Sequence, residues 1–285
     1  MSTLLKIETA KHPRFAYDRF QFFSNQLGLN VHFGRALPDG VSDAQGTIYV
    51  LHGGNGDDKQ TIEAGLLETL SEKTINSLIQ NKIQIVLPWV GATFLSSKTP
   101  ISHLDYESYF LKELLPLAEP NLRSSPTGRY ICGYSMGGQA SFNFCMRHPE
   151  LFQGVGGIFP TFVSFNPFEP HELQDFSARN NIQNPWLDVL KLGFVDNFEN
   201  AKHFHSHDPL SLLANNNKSL LLKKIYIGVG GKDQFGLHEG CQVFSKKLSD
   251  LKIAHKFELN NDGEHGAPVL KEQFPKMIEA LLGLS

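Results

Sequence analysis

The chain has few cysteines, and their spacing suits neither disulfide pairs nor a metal knuckle. There are three in 285 residues: Cys132, Cys145 and Cys241. A small, odd and widely separated set of cysteines does not form a disulfide framework. We therefore expect all three to be small buried hydrophobic residues.

The chain also lacks a long hydrophobic run, and its first residues do not have the pattern of a leader. Its longest apolar stretches, at 83–90 and 154–165, fall short of the roughly 18–20 residues that a membrane-spanning helix needs. The first eight residues contain no basic region followed by an apolar core, so we predict no secretory signal and a cytoplasmic location by default.

Neither sign of charge predominates. The chain has 26 Lys and Arg residues and 29 Asp and Glu residues, which gives a formal net charge of -3. Nucleic acid and anionic membranes are therefore not expected partners. With 41% hydrophobic and 19% charged residues, the composition excludes disordered, collagen-like and coiled-coil classes. The length allows a large single core.

Apolar runs of strand length alternate with longer segments of helical period. This alternation is typical of a mostly parallel sheet with helices on both faces. The predicted strands are 30–37, 46–51, 83–87, 129–132, 152–159, 224–230 and 255–259. The predicted helices are 59–79, 105–117, 137–147, 237–251 and 269–282.

The alternation stops between about residues 160 and 218. Phenylalanine, proline, asparagine and histidine follow one another there with neither the helical nor the strand period. We predict one domain over 1–285, with this segment as a cap-like insertion.

The pentapeptide Gly133-Tyr134-Ser135-Met136-Gly137 matches the pattern G-x-S-x-G. A predicted strand precedes it and a predicted helix follows, which is the context that the nucleophile elbow of a serine hydrolase requires. Glycine on both sides permits the sharp turn that exposes the serine hydroxyl. Ser135 is therefore the predicted nucleophile.

A serine hydroxyl needs a histidine base and an acid that orients it, in the chain order Ser, Asp or Glu, His. Asp233 follows the strand 224–230 after two glycines, and His265 lies in the loop between the last strand and the last helix. We predict Asp233 as the acid and His265 as the base. Asp262 and Glu264 are alternative acids, but their closeness to His265 in the sequence makes the geometry of a triad difficult.

Acyl transfer also requires donors for the developing oxyanion. The backbone N–H of Met136 is one candidate, and Gly54 in His52-Gly53-Gly54-Asn55-Gly56, after the strand 46–51, is the other. This glycine cluster matches neither nucleotide-binding pattern, since Lys59 stands where a third glycine would fall.

Three histidines suggest a different chemistry. His203, His205 and His207 alternate along the chain, so in an extended segment they would share a face as metal ligands do. A metal-dependent hydrolase is therefore an alternative, although no further ligand is evident and Asp208-Pro209 indicates a turn or a helix start.

The chain resembles the esterase D family of the α/β-hydrolase fold, which includes tributyrin, feruloyl and S-formylglutathione esterases and the mycolyltransferases. The resemblance extends over about residues 20–282 and rests on His52-Gly53-Gly54, Gly133 to Gly138, His148 to Phe152, Gly231-Lys232-Asp233 and His265. It implies a mostly parallel central sheet flanked by helices, with an insertion after the sixth strand, and the same roles for Ser135, Asp233, His265, Gly54 and Met136. Gly266-Ala267-Pro268 departs from the family, in which a polar residue and an aromatic often follow the histidine.

These observations predict a serine esterase that hydrolyses small-molecule esters or thioesters through an acyl-enzyme. Gly53, Tyr134 and Phe162 are the predicted substrate contacts. No metal or organic cofactor is expected. Acyl transfer to another alcohol with the same residues and a binding module without activity are the remaining alternatives.

Overall fold

One sheet organises the chain. In the computed structural model, which describes residues 3–96, 104–120, 128–215, 217–221 and 223–284, this sheet has nine strands. The strands are β1 (Leu5–His12), β2 (Phe15–Ser24), β3 (Leu29–Pro38), β4 (Gly46–Leu51), β5 (Ile83–Pro88), β6 (Arg129–Tyr134), β7 (Gly154–Ile158), β8 (Lys224–Gly230) and β9 (Lys256–Asn260).

The strand order is β1-β2-β3-β5-β4-β6-β7-β8-β9, and the strands from β5 to β9 in this order are parallel. Leu51 of β4 pairs with Gly133 of β6, and Tyr134 pairs with Ile158 of β7. Parallel strands bring their carboxyl ends to one edge of a sheet. The segments that follow β4, β6, β8 and β9 therefore meet at that edge.

The N-terminal strands β1 and β2 are absent from the sequence prediction. They pair antiparallel with each other, and β2 pairs antiparallel with β3, which adds an antiparallel edge to the parallel sheet. Most described residues of β1 are exposed, and the alternation of β2 is interrupted at Asp18 and Arg19, so the strand period is weak in the sequence. The insertion follows the seventh strand, β7, and not the sixth, which corrects the prediction.

Helices cover the sheet. They are α1 (Gln60–Glu63), α2 (Glu72–Gln80), α3 (Tyr106–Tyr109), α4 (Leu115–Ala118), α5 (Met136–Arg147), α6 (Pro170–Arg179), α7 (Asn184–Asn197), α8 (Ala201–His205), α9 (Pro209–Asn215), α10 (Leu237–Asp250) and α11 (Ala267–Leu282). A π-helical turn, Phe110–Leu114, joins α3 to α4.

Neighbouring glycines of β7 show that α5 and α11 lie on opposite faces of the sheet. A Cβ atom on Gly156 would lie 2.7 Å from Met277 of α11, and one on Gly157 would lie 3.2 Å from Phe142 of α5. Successive residues of a strand point to opposite faces. The predicted α/β-hydrolase architecture, a mostly parallel sheet flanked by helices, is confirmed.

The helix predicted over 59–79 is wrong as a single element. Gly65 has a φ of +67°, and Leu70 is extended, so α1 and α2 are separate helices with a short 3-10 turn between them. The three cysteines are free and buried, as expected.

The segment 160–218 is more regular than its sequence indicates, because it contains the helices α6 to α9. These helices are short, and each buries only a few apolar side chains, such as Phe176 of α6 and Phe194 of α7. Side chains of α6, α7 and α8 form a second apolar cluster together with Phe94 and Met136, next to the end of β6, whereas α9 packs against the main core. Across the described ranges, no helix is both long and apolar enough to cross a bilayer.

Candidate active site

Ser135 occupies a strained turn between β6 and α5. Its φ is +55°, a value that non-glycine residues rarely adopt. The turn is so tight that a Cβ atom on Gly133 would lie 2.6 Å from the carbonyl oxygen of Leu51, and one on Gly137 would lie 2.3 Å from that of His52. The flanking glycines are thus sterically required, and they hold the serine above the carboxyl end of the sheet.

His265 lies between Ser135 and Asp233. Its Nε2 is 3.1 Å from Ser135 Oγ, and its Nδ1 is 2.8 Å from Asp233 Oδ2. The Asp233 side chain is fully buried, and its other oxygen accepts hydrogen bonds from the backbone N–H groups of Phe235, at 2.9 Å, and Leu237, at 3.4 Å. A carboxylate held in this way orients the imidazole and its tautomer.

Aromatic rings enclose the imidazole. Phe159 and Phe235 lie with their ring centroids 4.1 Å and 4.9 Å from that of His265, whose side chain is only 14% exposed. The backbone N–H of His265 donates to Gln234 Oε1 at 2.8 Å, and Gln234 Nε2 donates to Glu264. The loop that carries His265 is therefore fixed against the loop that carries Asp233.

The glycine loop after β4 lies beside the serine. A Cβ atom on Gly53 would be 3.7 Å from Ser135 Cβ, and one on Gly54 would be 3.9 Å from Met136 Sδ. Met136 opens α5, where the first N–H groups have no partner within the helix. The two predicted oxyanion donors, Gly54 and Met136, are therefore neighbours at this end of the site.

A buried histidine holds the peptide between Gly53 and Gly54. His52 Nδ1 is 2.8 Å from the Gly53 carbonyl oxygen, and His52 Nε2 accepts the backbone N–H of Val90 at 3.1 Å. This pairing selects the neutral tautomer with hydrogen on Nδ1, and burial lowers the pKa of His52. The Gly53 carbonyl also accepts from the N–H of Gly56 at 3.0 Å. Because a trans peptide points its N–H away from its carbonyl, both bonds orient the Gly54 N–H.

A cavity of about 310 Å³ opens at Ser135. Its lining includes Gly54 and Met136 together with Phe94, Phe235 and residues of α7. Most of these lining groups are apolar, as in sites for small organic molecules.

Two of the predicted substrate contacts lie in the core. Phe162 is fully buried, with its ring 5.1 Å from that of Phe142 and 4.6 Å from that of Phe244. Tyr134 is buried with its hydroxyl 3.4 Å from Thr61 Oγ1, and burial raises its pKa. Both side chains therefore pack against helices in the core and do not face the cavity at Ser135.

Gly53 and the alternative acids have other partners. The Gly53 N–H donates to Gln60 Oε1 at 3.1 Å. Asp262 is exposed and pairs with Lys232 at 2.7 Å, while Glu264 accepts from Gln234. The acid that contacts His265 is instead Asp233, which follows β8 and lies 2.8 Å from the imidazole Nδ1.

The histidines at 203, 205 and 207 do not share the face of an extended segment. Residues 201–205 form α8, so His203 and His205 point in different directions, and His205 lies 2.9 Å from Ser211. The rings of His203 and His207 are 4.9 Å apart, and burial lowers the pKa of His207 to about 4. Among the described residues, no group of three His, Cys, Asp or Glu side chains could hold a metal ion.

Residues of α7 that line the cavity, together with Phe94 and Phe235, were missed from the sequence. Asn184-Pro185 is a helix-start signal, and Leu187, Leu190 and Phe194 follow at helical spacing, so the helix itself was detectable. The position of this helix over Ser135 could not be predicted, because it depends on how the insertion packs against the rest of the domain.

The fold and the serine elbow are those of the α/β-hydrolases. Comparison with protein families matches residues 24–269 to the family described as "Putative esterase". The chain therefore belongs to this esterase family, and it is an ester-hydrolysing serine hydrolase.

Solved structures show the same architecture. FphF of Staphylococcus aureus, described as a fluorophosphonate-binding serine hydrolase, is 19% identical over 94% of this chain and 99% of its own, with a TM-score of 0.68. An S-formylglutathione hydrolase from Agrobacterium tumefaciens is 16% identical over 97% and 99%, with a TM-score of 0.73. A ferulic acid esterase from Anaeromyces mucronatus is 12% identical over 98% and 95%, with a TM-score of 0.63. No curated protein matches the chain.

Proposed function

We propose that this enzyme hydrolyses small-molecule carboxylic esters or thioesters through a covalent acyl-enzyme, with Ser135 as nucleophile, His265 as base and Asp233 as the orienting acid. The observation that carries the proposal is the position of His265, within hydrogen-bonding distance of both Ser135 Oγ and Asp233 Oδ2. The metal-dependent and binding-module alternatives have no comparable geometry to support them.

In the first half of the reaction, Ser135 Oγ attacks the ester carbonyl carbon while its proton passes to His265 Nε2. The N–H groups of Met136 and Gly54 stabilise the negative charge on the carbonyl oxygen. When the tetrahedral intermediate collapses, the bond to the alcohol or thiol breaks. The leaving group takes the proton from His265, and the acyl group remains on the serine.

In the second half, His265 removes a proton from water, which attacks the acyl carbon. The bond to Ser135 Oγ then breaks, the serine recovers its proton from His265 and the acid departs. Throughout, Asp233 accepts the Nδ1 hydrogen and stabilises the imidazolium. The segment 160–218 serves as a cap-like part of the same domain, since it covers the cavity above the serine.

The proposal is tested by labelling with a fluorophosphonate probe and by the turnover of p-nitrophenyl acetate. The native protein is expected to be labelled at Ser135, and Ser135→Ala should lose both labelling and turnover. Ser42→Ala, a change at an exposed serine, is the matched control and should keep both. Undiminished labelling and turnover in Ser135→Ala would contradict the nucleophile assignment. Product analysis with added alcohols distinguishes hydrolysis from acyl transfer.

A further inference from the structure

The cavity at Ser135 is closed on one side by α7. Helix residues Val189, Leu190, Leu192, Gly193, Asp196 and Asn197 all line it. Asn197 Nδ2 donates to the carbonyl oxygen of Ala92 at 3.1 Å, and the rings of Phe194 and Phe94 stack with centroids 5.6 Å apart. The helix is thus fastened to the body of the enzyme at its C-terminal end, next to the serine.

Toward its N-terminal end, the same helix leaves apolar side chains uncovered. Val189 and Leu192 are 52% and 56% exposed, and Trp186 is 41% exposed although its ring contacts Phe235 at 5.1 Å. At a rise of about 1.5 Å per residue, the distance along the helix from Val189 to Asp196 is about 10 Å. The cavity lining is therefore exposed to solvent at Val189 and Leu192, and Asp196 lies about 10 Å beyond Val189 along the helix.

The position of the cavity relative to the triad indicates which part of an ester it receives. The leaving group takes its proton from His265, so it departs on the side of the imidazole. Ser135, Gly54 and Met136 line the cavity, so it begins at the hydroxyl to which the acyl group becomes bonded. The acyl group, which stays bonded to Ser135, is the part directed into the cavity.

The chemistry of the lining defines the acyl group further. Phe94, Val189 and Leu192 provide apolar contacts. The charged side chain in the described lining is Asp196, a carboxylate, which opposes a second carboxylate on the substrate.

We infer that this cavity is an acyl pocket and that the enzyme prefers an uncharged, extended apolar acyl group of medium length over acetyl. The inference rests on the serine esterase function proposed above.

Gly193 provides a sharp test because it lines the cavity without filling it. A Cβ atom at this position would meet no other atom within 4 Å. A larger side chain can therefore project into the pocket, and replacing a helical glycine also favours the helix. Gly193→Phe is the blocking variant. Lys191→Phe adds the same ring at an exposed position that does not line the cavity, and it serves as the matched control.

The experiment measures kcat/KM for p-nitrophenyl acetate, butyrate, hexanoate and octanoate, which share one leaving group. For the native enzyme, we expect a rise of about two- to fourfold per added methylene, as for burial of apolar surface. Gly193→Phe should lower the octanoate-to-acetate ratio at least tenfold, and Lys191→Phe should leave it within twofold. Val189→Ser, an exposed change that does not endanger folding, should lower the ratio severalfold.

Two results would overturn the acyl pocket while leaving the proposed function intact: highest kcat/KM on acetate in the native enzyme, or an unchanged ratio in both Gly193→Phe and Val189→Ser. In each case turnover would still depend on Ser135. Turnover that survives Ser135→Ala would instead contradict the proposed function itself, so the two failures are distinguishable.

Discussion

Replacement of Asp233 by asparagine tests the role of the carboxylate without changing its volume. One carboxylate oxygen is held by the backbone N–H groups of Phe235 and Leu237, so in Asp233→Asn the amide oxygen must remain there. The amide NH₂ then faces His265 Nδ1, which in the native enzyme lies 2.8 Å from a carboxylate oxygen. The amide N–H and the imidazole Nδ1–H would then be two donors facing each other. The imidazole would therefore adopt the tautomer with its hydrogen on Nε2, so that Nδ1 accepts a hydrogen bond from the amide.

An imidazole with hydrogen on Nε2 cannot accept the proton of Ser135. We therefore expect kcat to fall by about 10⁴-fold, the loss associated with the wrong tautomer in serine hydrolases. At 1.36 kcal/mol per tenfold change, this corresponds to about 5.5 kcal/mol of transition-state stabilisation. The free energy of unfolding should change by less than about 2 kcal/mol, because the backbone hydrogen bonds remain.

The assay combines initial rates on a p-nitrophenyl ester with urea denaturation. Asp262→Asn is the matched control, since Asp262 is an exposed carboxylate in the loop of His265 and pairs with Lys232. It should keep the native kcat. A variant Asp233→Asn that folds normally and retains kcat within tenfold of the native value would refute the orienting role of Asp233. So would an equal loss in Asp262→Asn.

Three other perturbations follow from buried polar groups. His52→Leu removes the hydrogen bond that orients an oxyanion donor, so kcat should fall about 10–100-fold with little change in KM, measured on a p-nitrophenyl ester. Glu119→Gln leaves the buried guanidinium of Arg129 without its charge partner, and chemical denaturation should show a loss of about 3–5 kcal/mol; a loss below 1 kcal/mol would contradict this. Burial, followed by the charge of Arg147, lowers the pKa of His207 to about 4, so the unfolded chain, with a pKa near 6.5, takes up the proton first as pH falls. Stability should therefore be complete above about pH 6.5 and decline by about 2 kcal/mol by pH 5, and His207→Leu should remove this part of the decline.

The sequence predicts much of the fold because its central strands are buried on both faces. The runs 46–51, 83–87 and 224–230 are nearly continuous in apolar residues, and the structure has strands at each of them. The antiparallel β1 and β2 alternate weakly, and α6 to α9 bury few side chains each, so local periodicity did not reveal them.

The elbow of Ser135 is also a local feature. Strand, turn and helix are contiguous in the chain, and the glycines at 133 and 137 are required by contacts of 2.6 Å and 2.3 Å with carbonyl oxygens. A pattern of five residues thus contains most of the information that places the hydroxyl. The chain order of acid and histidine then directs attention to Asp233 and His265.

Only the tertiary structure decided which distant groups meet. His265 lies 130 residues from Ser135 in sequence and 3.1 Å from it in space, because β6, β8 and β9 end at the same edge of the sheet. Phe162, predicted as a substrate contact, is in the core, and α7, in a segment with no detected period, forms the wall of the cavity. The periodicity of the sequence indicates whether a side chain is buried, but not which residues it packs against. Contacts between separate segments depend on the strand order and on how the insertion packs.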